Sequence, residues 1–181
     1  MGEAGVFRVA DRVFRPWKNG GGEMAEIVVS PPGADYESFD WRVSTALVAA
    51  AGPFSCFPGI DRVLAVLEGG TMILAAAGEE RRLDAASAPY AFPGEEPVAA
   101  RIEGSTILDF NVMARRPLRA AVERGRFDPV RPAAGARAHL LLLLEDRAGL
   151  SRFDLVDCRA ATPARLGALA GASVLEVFIQ G

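Results

Sequence analysis

Histidine is almost missing from this 181-residue chain, which holds a single one, His139. Only two cysteines accompany it, Cys56 and Cys158, far apart and in no CxxC pattern. Zinc, iron and copper sites draw on several His or Cys ligands, so a typical set is not on offer. A Ser-His-Asp triad would have to use His139, and no GxSxG segment supports one. No D-x-D-x-D-G calcium loop occurs either. The expectation is therefore no metal, no cofactor and no catalytic residue, with both thiols free in a reducing compartment. Dense basic patches are also lacking. The formal net charge is -3, the pI is near 5.3, and the arginines are scattered among acids, which argues against a nucleic-acid partner. The longest apolar run, Leu140 to Leu144, falls far short of the ~20 residues of a membrane span. The opening MGEAGVFRVADR has no basic stretch followed by an apolar one, as a signal peptide would. A soluble, cytoplasmic protein with no membrane partner is expected.

What is present is punctuation. Half the residues are hydrophobic and 24% are charged, enough to bury a core without disulfides or metal. Short β-prone segments recur about every ten residues between Gly- and Pro-rich turns, and no long helical period appears. Strands are expected at 7–14, 23–30, 39–48, 62–67, 71–76, 98–102 and 107–112, with 78–80 a turn and 89–97 irregular. Further strands are expected at 138–144, 153–158 and 174–179, with 166–169 an apolar turn. The pattern predicts an all-β sandwich or barrel. PLRAAVER, residues 117–124, reads as a short helix. The expected organisation is a pocket-bearing β-barrel over 1–116, a linker with a short helix over 117–136, and supporting strands over 137–181.

The polar residues that can recognise a ligand sit in a few turn–strand segments. In GPFSCFPGIDRVLAVLEGG, residues 52–70, Ser55, Phe57, Asp61 and Arg62 stand where a loop feeds a core strand. In RPWKNGGG, Trp17, Lys18 and Asn19 precede three glycines. That segment is either a hairpin with its Trp tucked onto the core or a loop closing over a ligand. It lacks the Gly-Lys-Ser/Thr ending of a phosphate loop. In FDWRVS, period two puts Arg42 and Ser44 on one strand face, opposite Trp41. In LDFNVM, Asp109 and Asn111 share a face, either an outer one or a cavity-facing one. Arginine holds carboxylates through its planar fork, so Arg62, steadied by Asp61 or Asp109, points to a small carboxylate ligand.

RPWKNGGGEMAEI, FDWRVS, GPFSCFPGIDRVLAVLEGG and DFNVMARR together resemble, in order and spacing, the HutD/Ves family of cupin-like proteins. The resemblance spans residues 15–116 and continues beyond them in pattern only. It implies a cupin-like β-barrel (jelly roll), and a bicupin whose second β unit is smaller and degenerate. It implies a regulatory binder of a small anionic metabolite of histidine utilisation, such as urocanate or a formylated glutamate derivative. Its pocket residues map to Trp17, Lys18, Asn19, Trp41, Arg42, Ser44, Arg62, Asp109 and Asn111. Cupin enzymes carry metal on a His-x-His and Glu motif with a later His. Here Ser55, Phe57, Asp61 and Arg62 stand in that region, and Glu95 replaces the later His. Two other readings stay open: a metal-free isomerase or hydrolase using Asp109, Glu26 or Lys18 as acid or base, and a purely structural role. Barrels with exposed strand edges often pair, so a homodimer is among the expectations.

Overall fold

Gly and Pro interrupt the chain often enough that strands form between them and helix hardly at all. The computed structural model describes residues 3–17, 20–131, 133 and 135–181. In chain order the first strands are β1 (Val6–Phe7), β2 (Arg15–Pro16), β3 (Gly22–Ser30), β4 (Trp41–Val48), β5 (Gly52–Pro53), β6 (Ile60–Glu68) and β7 (Thr71–Ala76). They continue as β8 (Glu79–Leu83), β9 (Tyr90–Pro93), β10 (Val98–Glu103), β11 (Ile107–Arg115) and β12 (Arg119–Arg126). After β13 (Ala138–Leu143) and β14 (Leu155–Asp157) comes the short helix α1 (Pro163–Ala168), and β15 (Ser173–Gln180) closes the chain.

Two units are distinguishable, Val13–Arg116 and Met1–Arg12 with Pro117–Gly181. In the first, a six-stranded sheet runs β2-β3-β4-β11-β6-β9 and a four-stranded sheet runs β5-β10-β7-β8. All the pairings are antiparallel. Their facing sides share one core. Ala46, Val48, Leu64, Val66, Phe92 and Ile107 come from the larger sheet, and Met72, Leu74, Ala76, Leu83, Val98 and Ala100 from the smaller. Period two explains the choice: each of these residues alternates along its strand with one on the opposite face. This is a cupin-like jelly roll, an all-β fold as the turn spacing predicted.

In the second unit, a five-stranded antiparallel sheet runs β1-β14-β13-β15-β12. Its core gathers Leu141, Leu143, Val156, Val174, Phe127 and Leu169, among others. β1 pairs with β14 through Val6↔Val156 and Phe7↔Leu155. Asp154, fully buried, fastens the same segment: Oδ1 accepts from Val9 N at 2.7 Å, and Oδ2 from Arg8 Nη1 at 3.0 Å and Ser151 N at 2.9 Å.

Several expected elements differ. The strand expected over 7–14 shrinks to β1, and Val9–Asp11 forms a 3-10 turn because the Val9 donor goes to Asp154 instead of a neighbouring strand. The helix expected at 117–124 is the edge strand β12, so 117–136 is not a helix-bearing linker. Pairing with β15 overrides its helix-forming residues, and alternate residues along it are half-buried. The expected turn at 78–80 opens β8, and the expected irregular segment contains β9. β9 sits at a sheet edge, where its terminal Pro93 is tolerated. The apolar 166–169 segment belongs mostly to α1, with Pro163 in its first turn and Thr162 Oγ1 accepting from Arg165 N at 3.2 Å.

Candidate functional site

The inner face of the six-stranded sheet changes character along its length. At one end it carries the apolar core residues. Toward the other it carries Arg42 and Ser44 on β4, Arg62 on β6, and Asp109 and Asn111 on β11. Register brings these into rows: Ser44 opposes Asn111, Ala46 opposes Asp109, and Arg42 and Arg62 flank Met113. A bulge in β3 at Ile27 leaves Glu26 opposite Ser44 and re-aims the strand beyond it. The polar end opens into a cavity of ≈ 630 Å³. Trp17, Arg42, Ser44, Ser55, Phe57, Arg62, Asp109 and Asn111 all line it.

Arg62 is the most constrained of these. It is 8% exposed, and its guanidinium lies 4.9, 5.7 and 5.1 Å from the ring centres of Phe54, Phe57 and Phe92. Such faces attract a cation and offer it no hydrogen bonds. Its Nε and Nη2 both donate to Asn111 Oδ1, at 3.4 and 3.2 Å. Among the described residues, Nη1 donates to none. Burial pulls the guanidinium down to about 10, opposed by the charge of Asp109. It remains a cation at neutral pH.

Asp109 is 4% exposed. Its Oδ1 accepts from Ala46 N at 3.1 Å, and no described residue donates to Oδ2. Burial pushes its carboxyl from 3.8 up to about 7, against the pull of Arg62 and of the Ala46 hydrogen bond. Asp109 and Arg62 form no ion pair within 4 Å among the described contacts, so each feels the other only through space.

Arg42 makes the other cationic wall, stacked on Tyr36 at 4.1 Å. Its Nε lies 3.0 Å from Glu26 Oε2, an ion pair whose angle falls short of a hydrogen bond. Because the Glu26 side chain is 41% exposed, the pairing is screened by solvent and leaves Arg42 able to face a ligand.

Two loops build the mouth. Tyr36 stacks on Phe57 with ring centres 5.6 Å apart. The Tyr36 loop is fastened by Arg115, which donates to Phe39 O and Glu37 O, both at 2.8 Å. Phe57 is held by its own N–H on Gly94 O at 2.8 Å. Gly94 is required there, since a Cβ would meet the Phe57 and Ile60 carbonyls at 2.6 and 2.7 Å. On the far wall, Trp17 packs over Gly22, where a Cβ would come within 3.0 Å of the indole. The last of the three glycines thus seats the Trp17 ring, which packs against the core and lines the cavity.

Trp41 and Asp61 do not line it. With Arg42 and Arg62 facing inward, alternation turns their strand neighbours to the other side, and Asp61 lies 3.6 Å from Arg116. Arg62 is therefore steadied by Asn111, not by Asp61. Glu95 is taken by Arg116 at 2.5 and 2.6 Å. Lys18 and Asn19 lie outside the described residues. Sequence reasoning passed over Phe54, Met24, Met113 and Tyr36. Met113 was readable as the next residue of the Asp109–Asn111 face. Tyr36 carries no local signal, because a loop brings it to the site.

Among the described residues no three His, Cys, Asp or Glu side chains converge as a metal site. Among the described residues no helix is long and apolar enough to cross a membrane. Cys56 and Cys158 are free thiols. The cavity can accept an anion: it offers Arg62 Nη1, Asn111 Nδ2 and the hydroxyls of Ser44 and Ser55, between aromatic walls.

The chain is similar to known proteins over nearly its whole length. A conserved protein of unknown function from Pseudomonas aeruginosa PAO1 is 28% identical, with a TM-score of 0.78 over 99% of this chain and 100% of its own. HutD from Pseudomonas fluorescens SBW25, described as the formate condition, is 31% identical, with a TM-score of 0.72 over 98% of this chain and 94% of its own. The HutD family model matches residues 9–166. With the jelly roll and its arginine-floored cavity already in place, these matches mean that the chain belongs to the HutD family.

Proposed function

We propose that this chain is a non-metal, cupin-like protein that binds a small carboxylate metabolite and regulates histidine utilisation. The observation that carries the reading is Arg62. Its cation is buried on the cavity wall among three Phe rings, Asn111 fixes its orientation, and Nη1 is left for a ligand. A buried guanidinium without a direct counter-ion is stabilised by an anion, and a planar carboxylate matches its fork. The link to histidine utilisation is the contribution of the HutD family. Free thiols accord with a reducing cytoplasm. We also take the second unit, with its five-stranded sheet and separate core, as a reduced second cupin-like unit.

Calorimetric titration tests this with urocanate, N-formylglutamate, glutamate and formate, on the wild type and on Arg62→Ala. Saturable binding to the wild type that falls at least ~30-fold in the variant is the expected result, equal to losing one charge-assisted hydrogen bond. Undiminished binding in the variant removes Arg62 from the site. Asp109 supports a second reading, a metal-free enzyme, because a cavity carboxyl titrating near 7 suits general acid–base work. Following each acid by NMR for hours separates the two, since a binder leaves it unchanged.

A further inference from the structure

The cavity proposed to take an anion already holds a carboxyl of its own. Asp109 lies two residues from Asn111 on the same face of β11, and strand positions so spaced are about 7 Å apart. Asn111 turns Oδ1 to Arg62, and its Nδ2 donates to no described residue. An anion held by Arg62 Nη1 and Asn111 Nδ2 therefore comes to rest beside Asp109.

The two oxygens of Asp109 are bound differently. Oδ1 accepts from Ala46 N at 3.1 Å, and Thr45 Oγ1 donates to the backbone carbonyl of Asp109 at 2.6 Å. Both bonds reach across to β4 and fix the residue in place. Oδ2 receives no hydrogen bond from any described residue, although the side chain is buried and lines the cavity.

The elements around it offer little to hold a negative charge. On β6, Arg62 reaches Asp109 by its field alone, since its fork is turned onto Asn111. Glu68, at the end of the same strand, is exposed. On β4, Arg42 is engaged by Tyr36 and Glu26. On β3, Met24 stands opposite Ala46, and the one nearby charge is the acidic Glu26 opposite Ser44. The four-stranded sheet contributes apolar Met72, Leu74 and Ala100 to the shared core. Burial accordingly carries this carboxyl up to about 7, so its neutral form is within reach at physiological pH.

Two carboxyl groups side by side in a water-poor site cannot both ionise, and one of them keeps a proton. The ligand's carboxylate has the direct contact with Arg62, so it stays ionised and the proton falls to Asp109. Oδ1, which accepts from Ala46, is the carbonyl oxygen of that acid, and Oδ2 carries the O–H. We propose that Asp109 binds the ligand as the neutral acid, donating Oδ2–H to the ligand's carboxylate, so that binding to the ionised protein takes up one proton from solvent. The proton stays on Asp109, and no covalent bond of the ligand changes. The inference rests on reading the Arg62 cavity as a carboxylate site, and it adds the group that demands an acceptor-only head. A neutral head bearing its own N–H would meet Oδ2 ionised and take up no proton.

Proton uptake is counted by calorimetry in two buffers of different ionisation heat. N-formylglutamate and formate are the probes, because their carboxyls do not titrate between pH 6 and pH 8. Uptake by the wild type should rise from about 0.1 proton per bound ligand at pH 6 to about 0.9 at pH 8, while affinity falls about tenfold. Asp109→Asn keeps the Oδ1 acceptor and offers an N–H in place of the O–H. It should bind at both pH values about as tightly as the wild type at pH 6, with no proton uptake. A purely structural Asp109 would change affinity and leave the proton count alone. Binding to the wild type without uptake at pH 8 overturns the proposal and leaves the carboxylate reading intact, and so does uptake that persists in Asp109→Asn. Failure of both acids to bind at either pH overturns the carboxylate reading and this proposal with it. The count is made on the wild type, so it decides the matter even where the variant does not fold.

Discussion

Replacing Asp109 by Asn isolates the electrostatics of the cavity in one atom. The substitution keeps the Oδ1 acceptor used by Ala46 N–H at 3.1 Å and removes the ionisable group. Burial carries this carboxyl from its ordinary 3.8 to about 7 in the fold. The sign follows from linkage. A folded value raised above the unfolded one means that the native state holds the proton more tightly. Stability is then fully present below pH 4 and falls as pH rises to about 7, where the loss levels off. At about 1.4 kcal/mol per tenfold, the ionised carboxylate costs the fold about 2 kcal/mol by pH 5 and about 4 kcal/mol by pH 8. Asp109→Asn escapes this term. Urea unfolding of both proteins from pH 5 to pH 8 should therefore show the wild type losing roughly 2–3 kcal/mol relative to the variant. The same ionisation competes with a ligand anion for the field of Arg62. Carboxylate affinity should decline above pH 7 in the wild type and stay flat in the variant. Parallel stability curves across that range would refute the reasoning, since they would mean that Asp109 is already ionised at pH 5 or is hydrated in its cavity.

Other parts of the structure make further predictions. Gly22→Ala drives a methyl into the Leu47 carbonyl and the Trp17 ring. It should cost about 1–3 kcal/mol of stability, read by urea unfolding, and red-shift Trp17 emission in a Trp41→Phe background. Asn111→Ala removes the acceptor that orients Arg62, and calorimetry should register about a tenfold loss in carboxylate affinity with a modest change in melting temperature. Asp154→Ala strands the Val9 and Ser151 donors together with the Arg8 cation. A destabilisation of about 3–5 kcal/mol is expected by urea unfolding, while carboxylate binding in the intact Val13–Arg116 unit persists.

The fold was legible where its signals were local. Alternation in FDWRVSTALV and the apolar run after Asp61-Arg62 mark β4 and β6, and the face shared by Asp109 and Asn111 follows from period two. Those three strands floor the cavity. What escaped is tertiary in origin. PLRAAVER has helix-forming residues, and only the partner β15, some fifty residues downstream, makes it a strand. Tyr36 enters the cavity through a loop pinned by Arg115 from another strand. Asp61 enters the expected site as a brace for Arg62 and Trp41 through the family resemblance, but both sit on the strand faces turned away from the cavity.

The pairing of β1 with β14 spans about 150 positions of chain, and the whole of Val13–Arg116 lies between. During synthesis the ribosome therefore delivers the first strand of one unit, then all of the other, then the remainder. Val13–Arg116 has its own complete set of strands and can fold while the chain is still emerging. Val6 and Phe7 have no partner until Leu155 and Val156 appear. For that interval the N-terminal segment is an unclaimed strand, open to the wrong sheet edge or to another chain. The 3-10 turn at Val9–Asp11 and the Arg8–Asp154 contact then act as a late clasp, closing only once Asp154 has been made.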